Sequence, residues 1–274
     1  MSTDSCFLPV EKLLTDAVTH KAFPCATIEL GGRASIYWQH AFGTLSYNEK
    51  STPATLDTVF DLASLTKVIS TTTLIMRLVD KGKIRLNDLI CHLLDEWQGQ
   101  DRIVVTVTDL LEHTSGLTSH LPFYKDHQGR YEFQRSISTL PLEYMPRHRS
   151  LYSDLGFILL AFLATDAAEG VSVNEQFEQL RRQLEFGDLR YLPPTTWRSR
   201  TAPTEIDTWR GRLLRSEVHD ENGWALGGVA GHTGLFGTAP SVGRFARAIL
   251  QTLSGDSKLA NPSTLARFLR RSTV

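Results

Sequence analysis

The sequence predicts an α+β fold, on two observations. Two runs rich in β-branched and aromatic residues, 26–30 and 35–42, lie close together near the start. From Ser64 onward apolar residues recur mainly at helical spacing. With 274 residues the chain is long enough to bury a substantial core.

Each element has a local reason. Val10, Leu13, Leu14, Ala17 and Val18 share one face of a helix over 10–21. Gly31-Gly32 separates the two strand-like runs and predicts a hairpin. A polar loop follows over 43–57, then an extended piece at 59–62. Val68, Leu74, Ile75, Leu78 and Val79 mark the next helix, with Gly82 as its stop. Asn87-Asp88 is expected to cap a short helix through Leu94. Thr106-x-x-Asp109 resembles a capping box opening a helix with Leu110 and Leu111. Further helices are expected over 155–169, after Ser172, and over 240–253. The stretch 187–217, with its prolines and tryptophans, reads as irregular.

Composition narrows the partners. Charged residues are 22% of the chain and the net charge is −1, which gives no electrostatic reason to expect nucleic acid or an anionic membrane. The apolar stretch 157–164 is too short to span a bilayer. Residues 1–11 show no basic cluster followed by an apolar run, so no secretory signal is expected. Cys6, Cys25 and Cys91, odd in number and widely spaced, read as reduced thiols. The expected compartment is the cytoplasm. Oligomeric state is left open.

One constellation carries chemistry. Ser64-Leu65-Thr66-Lys67 stands where an extended segment gives way to a helix. Residues three apart share a helix face, so hydroxyl and amine would be neighbours. Serine needs a base to become a useful nucleophile, and a lysine can serve when neutral, a form that burial favours. N–H groups at the helix start could stabilise an oxyanion. The tetrapeptide alone is common in exposed helices.

The flanking residues change its weight. Phe60-Asp-Leu-Ala-Ser-Leu-Thr-Lys67 resembles the nucleophile segment of the serine β-lactamase-like family, which includes class C β-lactamases, DD-peptidases and related esterases. The similarity continues in register through the run 78–88, Asp109-Leu-Leu-Glu-His-Thr-Ser-Gly-Leu117, Leu151-Tyr-Ser-Asp-Leu-Gly156, Val218-His-Asp-Glu-Asn222 and Gly231-His-Thr-Gly-Leu-Phe-Gly-Thr-Ala239. The resemblance implies one domain over 1–274, an antiparallel sheet flanked by helices, with a mainly helical subdomain inserted at about 68–217. Ser64 would be the nucleophile, Lys67 its base or proton partner, and Tyr152 the phenol that delivers the proton to the leaving group. Asp154 and His232 would lie on the substrate side. Asp154 stands where many members have asparagine, and its charge would favour the protonated form of Lys67.

The third family motif, Lys/His-Thr/Ser/Gly-Gly on a strand, has two readings. Gly231-His232-Thr233-Gly234 offers the letters, but Thr238-Ala-Pro240 reads as the cap of an amphipathic helix with Val242, Phe245, Ala246, Ile249 and Leu250. On the second reading the third-motif strands and a closing C-terminal helix would follow Val274, leaving the sheet incomplete and an N-terminal strand edge open. That loss is expected to lower stability and impair catalysis.

Other candidates are weaker. His113 is expected to hold a turn before Gly116. His219, Asp220 and Glu221 are consecutive and diverge, so no metal is expected. Gly227, Gly228, Gly231 and Gly234 form no nucleotide-binding pattern, and no Gly-x-Ser-x-Gly elbow is present. No cofactor is expected. The expected function is a serine hydrolase working through an acyl-enzyme on a small ester or amide substrate (esterase, β-lactamase-like or D-aminopeptidase-like). The alternative is a truncated or catalytically silent homologue that only binds a ligand or partner.

Overall fold

The computed structural model describes residues 6–255, 259–272 and 274. Residues 1–5, part of the segment read above for a leader, lie outside the described residues. Helix α1 (Leu8–Thr19) starts with Pro9 in its first turn, where the missing N–H costs nothing. Strands β1 (Cys25–Gly31) and β2 (Ile36–Gly43) pair antiparallel, Thr27 opposite Ala41, with a bulge at Leu30/Gly31. This is the expected hairpin. Among the described residues β1 pairs on that side only. Its other edge faces a cleft of about 530 Å³ whose walls include Ile28, Phe60, Leu62, Leu65 and Val242.

Strand β3 (Phe60–Asp61) leads into the Ser64 turn. The helix beyond is not α-helical at its start. Residues Lys67–Thr72 wind as a π-helix before α2 (Thr73–Asp80) takes over. The run Ser70-Thr-Thr-Thr73 accounts for the widened turn, because two of its hydroxyls, those of Thr71 and Thr73, bond main-chain carbonyls. Thr73 Oγ1 donates to Val68 O at 3.0 Å and Thr71 Oγ1 to Gly231 O at 2.7 Å. Gly82, at φ +68°, ends the element as expected.

The expected Asn87-Asp88 cap is corrected. Asp88 accepts from Arg85 N at 2.7 Å, and Ile90 N donates to Val105 O. The segment is therefore stitched to its neighbour and makes only a 3₁₀ turn at Ile90–His92. The Thr106/Asp109 capping box does open α3 (Val107–Leu111). Helix α4 (Gly129–Thr139) was not anticipated.

Helix α5 (Asp154–Ala167) is the centre of the core. Leu155, Phe157, Ile158, Leu159, Leu160 and Leu163 are all buried, so it is apolar all round, as a fully enclosed helix must be. A Ser172/Glu175 capping box starts α6 (Val173–Gln183).

The stretch read as irregular contains β4 (Leu189–Tyr191) and a ribbon of β5 (Ile206–Asp207) with β6 (Arg212–Leu213). After α7 (Glu221–Ala225), β7 (Leu235–Gly237) lies between β3 and β4 in a small antiparallel sheet. Thr238 then caps α8 (Ala239–Leu253), which packs on β1 and is followed by α9 (Pro262–Phe268). Among the described residues no helix is long and apolar enough to cross a membrane.

Candidate active site

The turn that carries Ser64 is clamped by its neighbours in space. Asp61 accepts from Ala63 N and from His219 N, each at 2.8 Å. Ala63 sits at φ +44°, a left-handed conformation that these bonds hold in place. Strand β7 grips both ends of the turn: Leu62 N donates to Leu235 O, and Leu235 N donates to Thr66 Oγ1 at 3.1 Å. Ser64 is thereby presented on the surface at the mouth of the π-helix.

Lys67 is the first residue of that helix, with its side chain 3% exposed. An ammonium has three donors, and three acceptors meet this one. They are Ser64 Oγ at 3.0 Å, Asp154 Oδ1 at 2.7 Å and the His232 carbonyl at 3.2 Å. The ring of Tyr152 lies over the amine, its centroid 4.7 Å from Nζ, and Phe157 is 5.9 Å away on another side. These aromatic faces favour a cation between them. Tyr152 is half exposed, and it meets Lys67 with its ring face. Among the described residues its hydroxyl makes no hydrogen bond.

Ser153 caps α5, so Asp154 stands in the first turn with the helix N-terminus behind it. Its second oxygen lies 3.7 Å from His120 Nδ1. His232 is buried, and its ring pairs with Asp220 Oδ1 at 3.0 Å while its carbonyl faces Lys67. Its Nδ1 has no partner among the described residues. Burial pushes the Asp220 carboxyl up, but His232 and the Gly223 amide outweigh it and hold the group below the usual carboxylate range. His113 is pushed down to about 4, first by burial and then by the charge of Lys67, so its imidazole is neutral at pH 7.

All five residues singled out from the sequence thus meet around one amine: Ser64, Lys67, Tyr152, Asp154 and His232. The reading missed His120 and the pairing of Asp220 with His232. His219 and Asp220 take different partners. His219 bonds Glu205, and Asp220 caps α7. Among the described residues no group of three or more His, Cys, Asp or Glu could hold a metal ion. The segment 231–239 combines a strand and a helix cap, with β7 pairing to β3 and β4 and not to β1.

The sequence pattern of the beta-lactamase family matches residues 10–273. The chain belongs to the beta-lactamase family. The resemblance read from its motifs is confirmed, and so is the fold class. A class C beta-lactamase of known structure superposes on this beta-lactamase-family chain with a TM-score of 0.79 at 20% identity, covering 98% of this chain and 70% of that one. The octameric penicillin-binding protein homologue from Pyrococcus abyssi gives 0.75 at 19% identity, covering 97% and 61%. By sequence, the protein of Salmonella gallinarum named "Putative D-alanyl-D-alanine carboxypeptidase" is 30% identical over 80% of this chain. Its counterpart in Salmonella agona is 29% identical over the same share. The chain spans 57% of the length of these two curated relatives.

Proposed function

We propose that this chain is a serine hydrolase that acts through an acyl-enzyme on an ester or amide. The observation that carries the reading is the 3.0 Å contact between an exposed hydroxyl, Ser64 Oγ, and a buried amine, Lys67 Nζ. Ser64 Oγ attacks the substrate carbonyl carbon while its proton passes to Lys67 in the neutral form. The tetrahedral oxyanion is met by N–H groups at the turn. The bond to the leaving group then breaks, and the leaving group takes a proton from Tyr152 or Lys67. Water hydrolyses the acyl-serine by the reverse set of proton transfers.

Three acceptors surround the Lys67 amine at rest. Asp154, 2.7 Å away, is the nearest of them. Tyr152 lies with its ring against Lys67. The relatives' printed names make a D-alanyl-D-alanine peptide the first substrate to try, followed by a β-lactam and a simple ester.

The test is intact-mass spectrometry after treatment with a fluorophosphonate and, separately, a β-lactam. An adduct on Ser64 that disappears in Ser64→Ala is the expected result. A folded wild-type chain that takes up neither reagent would end the enzyme reading in favour of a ligand-binding homologue.

A further inference from the structure

His113 stands outside the reacting groups just described, yet it touches the chain on both sides of Tyr152. Its main-chain carbonyl accepts from Leu151 N at 2.9 Å, and its Nδ1 accepts from Ser153 N at 3.0 Å. One residue therefore brackets Tyr152, one peptide before and one after. Its ring also lies against the phenol, with centroids 4.6 Å apart, and against Phe157 at 5.1 Å. We propose that His113 is the positioning residue for Tyr152, locking the 151–153 backbone and the phenol ring so that Tyr152 faces the Lys67 amine.

The local backbone supports the assignment. His113 is at φ +60°, a conformation a non-glycine side chain adopts at some cost. The turn is held by Thr114 N donating to Asp109 O and by the Tyr144 hydroxyl donating to the His113 carbonyl at 3.3 Å. That conformation lets carbonyl and ring reach the same segment. Because Nδ1 is an acceptor, the single imidazole proton must sit on Nε2. The low affinity of this ring for a second proton, with its pKa at about 4, keeps the acceptor available at neutral pH. Nothing else among the described residues bonds the Ser153 amide.

The proposal rests on the serine-hydrolase reading for its kinetic consequence, but not for its geometry. The variants follow from the hydrogen bond. His113→Asn places Oδ1 where Nδ1 was and tolerates positive φ. His113→Gly removes the ring while suiting the positive φ, and thermal unfolding reports whether the fold holds. Both are compared with wild type in thermal unfolding, in the rate of Ser64 labelling by a fluorophosphonate, and in kcat and KM for p-nitrophenyl acetate.

The glycine variant should lose on the order of 10–100-fold in kcat with KM little changed, as misplacing a reacting group does, and asparagine should restore it to within a few-fold. ¹⁵N-detected histidine spectra of the wild type should show the Nε2–H tautomer for His113 at neutral pH. Equal rates in glycine variant and wild type would overturn the proposal, as would an asparagine variant as slow as glycine, or a proton on Nδ1. If wild type takes up no fluorophosphonate, the hydrolase reading fails on its own. The tautomer then still decides whether His113 holds Ser153.

Discussion

Lys67→Met should slow acylation of Ser64 by roughly 10²–10⁴-fold, the usual worth of a positioned proton-transfer group. Methionine fills much of the same volume, so the pocket between Tyr152 and Phe157 stays occupied. The substitution also strands Asp154, whose partner at 2.7 Å is gone. Removing one member of a buried pair is costly because the other is left without compensation. Asp154 is 20% exposed, so water and a proton soften the cost, which should come to about 1–2 kcal/mol. At 2–4 °C per kcal/mol for a chain near this size, Tm should fall by about 2–8 °C.

The double variant Lys67→Met with Asp154→Asn separates the two effects. It removes the stranded charge, so Tm should return towards wild type while labelling stays slow. A fast double variant would show that the amine takes no part in activating Ser64. A double variant as unstable as the single one would show that the ion pair was not what methionine disturbed. Labelling rates with a fluorophosphonate and thermal unfolding of the same preparations decide both points.

Much of this site is legible in the sequence because its parts are local. The three-residue spacing of Ser64 and Lys67 brings them together whether the turn is α-helical or, as found, a tight turn opening a π-helix. The capping boxes at Thr106/Asp109 and Ser172/Glu175 are read from four residues each, and both form. Ser153, a residue of the tyrosine motif, caps α5 as well. What escaped depends on partners far away along the chain. Strand β7 is three residues long and has no period of its own. It exists because Asp61 and Arg190 both come to lie opposite Phe236.

The π-helix needs the same kind of distant help, since Thr71 bonds the carbonyl of Gly231, 160 residues on. Tyr152 lies against Lys67 with its ring face, where the motif alone points to the hydroxyl. The backbone set by His113 turns the ring face to the amine. A motif names the residues that meet; the surrounding chain determines which atoms face each other.

Gly231→Ala should be the most damaging small substitution in the chain. A methyl group there would lie 1.9 Å from the Phe157 carbonyl oxygen and 2.8 Å from Ala161 Cβ, both on the buried helix α5. The first obstacle is backbone, so no rotamer change relieves it, and close-packed interiors yield little. Either α5 moves or the 230–232 segment does. The segment is tied down on each side. Ala230 O accepts from Tyr191 at 3.2 Å, Gly231 O from Thr71 at 2.7 Å, and His232 O from Lys67 at 3.2 Å.

Shifting it therefore costs packing and also draws an acceptor away from the amine beside Ser64. Overpacking of this kind costs about 3 kcal/mol or more, a fall of about 6–12 °C in Tm, and labelling of Ser64 should slow in the protein that remains folded. Gly156→Ala is the control. It lies in α5 itself, and its added methyl would meet nothing closer than 3.5 Å. Alanine should be neutral there or stabilise by up to about 1 kcal/mol through its helix propensity. If the two variants unfold at the same temperature, α5 and the 230–232 segment do not approach as closely as this geometry requires, and the support of Lys67 by the His232 carbonyl goes with it.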